Sequence, residues 1–118
     1  MVLEIFFLAD VPFTKKVKTM THITFVKKIL ANGEMCKKCG EVSDRLTSEG
    51  LIEHINHIAI ADERDADSEG MRLAKEHEVE RAPFFLVEED GEVTVFDIYF
   101  KFKKYMAQQG VEVKSAAL

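Results

Sequence analysis

Cys36 and Cys39 stand two residues apart in the run Cys36-Lys37-Lys38-Cys39, and the chain has no other cysteine. Two thiols at that spacing can exchange with disulfides, bind a metal, or staple the fold. A staple is the poorest of the three readings, because a structural disulfide does not persist in a reducing compartment. A chain of 118 residues also buries enough surface to fold without one. Exchange needs a helix that opens at the first cysteine. Unpaired backbone N–H groups and the helix dipole favour negative charge there, so the first thiol ionises more easily. The second thiol, one turn on and on the same face, can then attack a mixed disulfide formed by the first. Cys36 is thus the candidate nucleophile and Cys39 the resolving thiol. Lys37 and Lys38 are expected to stabilise the thiolate. A metal would need further ligands, and His54 and His57 follow Cys39 after fourteen intervening residues. That approaches a zinc finger of two cysteines and two histidines, but the histidines are one residue too close. If they open a strand, their three-residue step sends the rings to opposite faces of the sheet.

The surrounding pattern supplies elements to hold such a site. Residues 2–9 read as a strand rich in Ile, Phe and Leu, followed by turn-prone Asp10 and Pro12. Residues 12–20 fit a short helix or a loop. His22 to Ile29 reads as a strand through Ile23, Thr24, Phe25 and Val26. Ile23, Val26 and Leu30 also fit a helical spacing that Asn32-Gly33 would end. From Cys36 to about Glu49 the spacing is helical, with Val42 and Leu46 on one face and Gly50 as the stop. Residues 55–61 read as a buried strand. Ser68 is placed to cap a helix through Met71, Leu73, Ala74 and His77. Pro83 precedes the strand Phe84-Phe85-Leu86-Val87, Asp90-Gly91 signals a hairpin, and Val93 to Phe96 returns. A last helix is expected from about Asp97 to Gln109, with Ile98, Phe102, Tyr105 and Met106 inward. Tyr99 and Phe100 add aromatic bulk beside that face, either as a broader buried face or as a surface for a homodimer or other partner. The domain is expected to span 1–110, and the tail 111–118 to have little holding it.

This order, with a cysteine pair opening a helix and a proline before a hairpin, resembles the thioredoxin superfamily. The resemblance rests on Cys36-Lys37-Lys38-Cys39, on Leu73 to Pro83, and on Phe84 to Val93. It implies an α/β fold, a thioredoxin-like three-layer sandwich with a mixed four- or five-stranded sheet and helices on both faces. It also implies a cis peptide between Ala82 and Pro83 that lines a substrate groove beside the thiols. The implied activity is a thiol–disulfide oxidoreductase acting in electron transport on protein or low-molecular-weight disulfides, with no organic cofactor and no metal. The electron donor is not named by the sequence. The pattern departs from the family in several places. Met35 stands where a Trp is common, Lys37-Lys38 stand where thioredoxin itself has Gly-Pro, and Lys27 to Met35 is a longer link than usual.

Composition narrows the alternatives. A net charge of −5 argues against general nucleic-acid binding. The charge is uneven. Residues 1–40 hold seven Lys against three acids, or +4, whereas 41–118 hold nine basic against eighteen acidic residues, or −9. An acidic partner would be steered toward the cysteines. No apolar run reaches membrane-spanning length, and the opening Met1 to Asp10 makes a poor signal peptide. A cytoplasmic location follows as the expectation. Asp62, Glu63, Asp65 and Asp67 lack the spacing of a calcium loop and read as a solvated acidic stretch. The remaining alternatives are a thioredoxin-like adaptor without catalysis, and a zinc module using Cys36, Cys39, His54 and His57.

Overall fold

The computed structural model describes residues 21–114. The strand expected over 2–9 and the segment 12–20 lie outside the described residues. Four strands form one mixed sheet: β1 (His22–Ile29), β2 (His57–Asp62), β3 (Phe84–Glu89) and β4 (Glu92–Phe96). Their spatial order is β2-β1-β3-β4. Three helices connect and flank them: α1 (Lys37–Ser48), α2 (Glu69–Glu76) and α3 (Tyr99–Gln108). β1 and β2 run parallel, with α1 in the connection between them, whereas β3 is antiparallel to both β1 and β4. This is the α/β sandwich that the sequence pattern implies.

The two central strands carry continuous apolar runs because both their faces are covered. Ile23 and Phe25 of β1, with Phe85 and Val87 of β3, face α1 and α3 and join Val42, Leu46, Phe102 and Met106. Val26, Phe84 and Leu86 point the other way, toward Met71, Leu73 and Ala74 of α2. The strand period of two thus divides one run between two cores. Phe85 is the pivot of the first core, stacked 4.9 Å from Phe25 and 3.9 Å from Phe102 between ring centroids. The helical alternative for 22–29 gives way because Phe25 and Val26 must face opposite cores. The run 55–61 is less buried than its apolarity suggests. β2 is an outer strand of the described sheet, so His57 and Ile58 are exposed while Ala59 and Ala61 are buried.

The helix ends follow the residue types. Gly50, at φ +78°, lets the Leu51 N–H reach the Leu46 carbonyl at 2.9 Å, and both leucines are fully buried, as a Schellman stop requires. At the hairpin, Asp90 (φ 52°) and Gly91 (φ 85°) are both left-handed, which is the turn that matches strand twist. Ser68 does precede α2, but it makes no side-chain cap. Its hydroxyl instead accepts the Asp62 N–H and donates to the Asp65 carbonyl, tying the acidic loop to the end of β2. Ile98 precedes α3 and is exposed, so Tyr99 takes the inward position assigned to it. Of the expected tail, 111–114 are among the described residues and are held. Val111 and Val113 pack on the first core, and the Lys114 N–H donates to the Glu49 carbonyl at 2.9 Å.

Glu49 closes this side of the molecule. Its carboxylate, 3 % exposed, accepts from Tyr99 at 2.5 Å, Arg45 at 3.0 Å and Lys103 at 3.3 Å. Burial alone would raise its pKa, but the bonds from Tyr99, Arg45 and Lys103 outweigh it and hold the carboxyl below its ordinary value. The folded protein therefore takes up this proton less readily than the unfolded chain. The stabilisation is complete above about pH 4.3 and is lost as pH falls through the lower folded value. Glu49→Gln is expected to cost about 1–3 kcal/mol at neutral pH and to flatten the acid limb of the stability curve in urea titrations; an unchanged acid limb would exclude the role. α2 meets β2 through Gly70, where an added Cβ would stand 2.3 Å from the Ala61 nitrogen and 2.5 Å from the Ile60 carbonyl carbon. Gly70→Ala is expected to destabilise by about 2–4 kcal/mol. Gly40→Ala, in a helix with nothing within 4 Å, should instead be neutral or stabilise by up to about 1 kcal/mol. Equal effects at the two glycines would refute the close-approach argument.

Candidate active site

The long link between β1 and the cysteines folds back on the strand it leaves. Gly33 is left-handed, and its N–H meets the Leu30 carbonyl at 2.8 Å. The Asn32 side chain accepts the Glu34 N–H at 2.9 Å, an Asx turn that suits Asn-Gly. Met35 then bridges to Ile29 as a short antiparallel contact, and the Cys36 N–H donates to the Lys28 carbonyl at 3.0 Å. This return delivers Cys36 to the N-cap of α1, where its carbonyl accepts from Gly40 at 3.1 Å. Cys39 follows on the inner face and is fully buried, while Cys36 stays partly exposed. Both are free thiols. The Lys28 N–H donates to Cys39 Sγ at 3.3 Å, so one strand residue holds both cysteines.

The environments of the two thiols differ in sign. Burial pushes Cys39 up to about 11, the nearby Cys36 adds to the rise, and the Lys28 N–H only partly opposes it. Burial also works against the Cys36 thiolate, but four stabilising influences together outweigh it. They are the backbone N–H of Cys39, the Cys39 thiol, the backbone N–H of Lys38 and the charge of Lys28, and the net shift is downward. No full capping hydrogen bond is closed at Cys36 in the dithiol form, so the helix N–H groups act on the thiol at longer range. The side chains of Lys37 and Lys38 are exposed. Lys38 acts on Cys36 through its backbone N–H, and the side-chain charge that acts on it is that of Lys28. The Lys28 ammonium is held 3.4 Å from Glu63, whose other oxygen accepts the Ala31 N–H at 3.1 Å.

The Ala82–Pro83 peptide bond is cis. The β1–β3 register ends with Val26 opposite Phe84. Continued by two residues, it brings Pro83 level with Lys27 and Ala82 level with Lys28, beside the strand residue that holds the cysteines. Lys28 and Ala82 also line one small cavity of about 120 Å³ with Glu63, Met71 and Phe84. Pro83 itself is buried.

The histidines do not join this site. His57 lies opposite Thr24, whereas Lys28 lies opposite Ala61, and four residues of strand separate the two levels by about 13 Å. His57 is bound to Glu69 at 2.9 Å. His54 is on a 3-10 turn rather than on the strand, and it lines a different cavity with Tyr105 and Met106. Zinc ligands gather within about 2.3 Å of the ion, so the module of Cys36, Cys39, His54 and His57 is not assembled in this fold. Among the described residues, no cluster of His, Cys, Asp and Glu is arranged to hold a metal ion. In the acidic loop, Asp62 is engaged by the Arg64 guanidinium and backbone N–H and held down to about 2. No helix among the described residues is long and apolar enough to cross a membrane.

Sequence reasoning missed Lys28 and Glu63. The Asn32-Gly33 turn was the available signal, since a turn there obliges Met35 and Cys36 to run back along the strand that contains Lys28.

No protein-family model matches the chain, and no relative is found among characterised protein sequences. Among solved structures, the chain is similar to the germline-specific thioredoxin Deadhead of Drosophila melanogaster at 16 % identity and TM-score 0.49, covering 81 % of this chain and 90 % of that one. It is similar to Fasciola hepatica thioredoxin at 15 % identity and TM-score 0.48, with 81 % and 86 % covered. It is also similar to oxidised mitochondrial thioredoxin 3 of Saccharomyces cerevisiae at 20 % identity and TM-score 0.47, with 81 % and 86 % covered. At such identities the likeness concerns the chain path alone, and the chemistry must be read from the site's own geometry.

Cys36 is expected to alkylate faster than a free cysteine near neutral pH, while Cys39 stays protected until the protein unfolds. Lys28→Gln should move the Cys36 titration midpoint upward, because it removes a positive charge that favours the thiolate. Ultraviolet thiolate absorbance against pH reads both, and a midpoint unmoved by Lys28→Gln would remove Lys28 from the site.

Proposed function

We propose that the protein is a thioredoxin-like thiol–disulfide oxidoreductase whose redox centre is the Cys36–Cys39 pair. The observation that carries this reading is the opposed environment of two adjacent thiols. One is at a helix N-cap, reachable and favoured as thiolate; the other is buried and favoured as thiol. Purely structural cysteines have no need of that difference.

The Cys36 thiolate attacks one sulfur of a substrate disulfide. A Cys36–substrate disulfide forms, the substrate S–S bond breaks, and the departing sulfur takes a proton. Cys39 then gives up its proton and attacks Cys36 Sγ. The Cys36–Cys39 disulfide forms as the second substrate sulfur leaves and is protonated. Two electrons and two protons pass from the dithiol to the substrate, and an external dithiol restores the starting state. The chain at Ala82-Pro83, cis and level with Lys28 by strand register, would form one wall beside the reacting sulfurs, where an extended substrate segment would lie. No organic cofactor enters the scheme, and it suits a reducing compartment such as the cytoplasm.

Turnover of a disulfide-bridged peptide with dithiothreitol as the external dithiol tests the reading. Cys36→Ser should abolish turnover. Cys39→Ser, reduced, freed of dithiothreitol, mixed with the peptide and quenched with acid, should show a covalent Cys36–peptide adduct by mass spectrometry. Normal turnover by Cys36→Ser, or no adduct with Cys39→Ser, would reject the mechanism.

A further inference from the structure

The first turn of α1 breaks an electrostatic rule. Helix N-termini favour acidic side chains, because the partial positive charge of the unpaired N–H groups lies there. α1 has no acid in its first turn and has Lys37 and Lys38 instead. Both side chains are exposed, and no ion pair is found at either among the described residues. Arg81, also exposed, precedes Ala82-Pro83 and lines the same small cavity as Lys28. Glu63 is the acid nearest in the chain's own wiring, and it is occupied by Lys28 and by the Ala31 N–H. Glu80 lines the same cavity as Arg81, and Glu34 and Glu41 are exposed near the cysteines in sequence, but none of the three belongs to the first turn of α1.

Elsewhere the described surface is mixed, with Lys101 and Lys104 exposed on α3 and a strongly acidic edge at the hairpin. The hairpin edge carries Glu88, Glu89, Asp90 and Glu92, and the whole chain has a net charge of −5. A positive spot on a negative molecule orients an approaching anion and repels a cation. Charges that weaken the helix locally and have no ion-pair partner among the described residues are expected where a ligand uses them.

We propose that the disulfide reduced at Cys36 is one flanked by acidic groups, guided onto the sulfur by Lys37, Lys38 and Arg81. This rests on the dithiol reading above and names the substrate class for it. Carboxylates on either side of the substrate disulfide would meet Lys37 and Lys38 on the helix side and Arg81 on the Ala82-Pro83 side, while its sulfur meets Cys36. Because the side chains are exposed, the attraction acts mainly on approach and is screened by salt.

The test compares three peptides of equal length with the same internal disulfide, flanked by two Glu, two Ser or two Lys. At low ionic strength the Glu peptide should oxidise the dithiol roughly five- to tenfold faster than the Lys peptide, with the Ser peptide between. The ratio should fall toward one at high salt. In a protein carrying Lys37→Glu and Arg81→Glu the ratio should invert. The ratio is used because a change in thiolate reactivity affects all three peptides alike. A ratio of one at low salt, or one unaffected by salt or by the two substitutions, overturns the acidic preference and leaves the dithiol chemistry standing. No reaction with any peptide, with both thiols free by titration, overturns the dithiol reading and this inference together.

Discussion

Lys28 is the residue on which the site depends. Pairing between β1 and β3 ends at Val26, and the backbone of Lys28 goes to the cysteines. Its carbonyl accepts from Cys36 and its N–H donates to Cys39 Sγ. Its ammonium adds positive charge to Cys36 while anchored by Glu63. Strand, loop and helix therefore meet at one position. A shift of β1 by one residue would reverse its side chains, breaking the two cores and moving both thiols at once. The register of β1 and the placement of both thiols are thus a single structural fact.

The rest of the fold keeps that register fixed. β1 and β3 are buried on both faces, and Phe25, Phe85 and Phe102 form a continuous stack against α3. α1 is held at both ends. Its N-terminus is tied to Lys28 through Cys36, and its C-terminus through Leu51, Glu49 and Tyr99. A helix pinned only at the cysteine end would let the thiols drift relative to the strand, and the dipole that favours the Cys36 thiolate acts only within the first turn. Glu49 lies far along the helix from the cysteines, yet it helps define where the first turn lies.

Much of this frame is legible in the sequence because it rests on local rules. The apolar run of β1, the Val42 and Leu46 face of α1, the Gly50 stop and the Asp90-Gly91 turn follow from side-chain period and left-handed backbone, and each is found where those rules put it. The elements that read wrongly depend on neighbours. The apolar run that becomes β2 does not reveal that the strand is an outer one among the described strands. Ile98 and Tyr99 compete for one inward position, and Tyr99 gains it through a hydrogen bond to Glu49, distant in sequence. Ser68 looks like a cap but serves the preceding loop. The cysteine pair was visible at once, whereas Lys28 was one lysine among sixteen basic residues. Nothing in its own neighbourhood marks it until the chain is seen to fold back at Asn32-Gly33.

The same geometry explains how one cation favours only one of two neighbouring thiols. Both cysteines feel Lys28, but Cys39 is buried, and burial outweighs the single N–H and the charge that would favour its ionisation. Burial also opposes the Cys36 thiolate, but the backbone N–H groups at the open end of the helix, the Cys39 thiol and the charge of Lys28 together outweigh it. Ionisation of Cys36 then raises the cost of ionising Cys39, because two negative sulfurs would share one turn. When the dithiol loses its first proton, the negative charge therefore falls on the exposed sulfur, and the second proton stays inside. In the proposed mixed disulfide Cys36 would carry no charge, and the part of the Cys39 shift that comes from Cys36 would be relieved, leaving burial as the main cause. In the exchange proposed above, the exposed sulfur would begin because burial disfavours the Cys39 thiolate while the backbone N–H groups at the start of α1 favour that of Cys36; Lys28 acts on both.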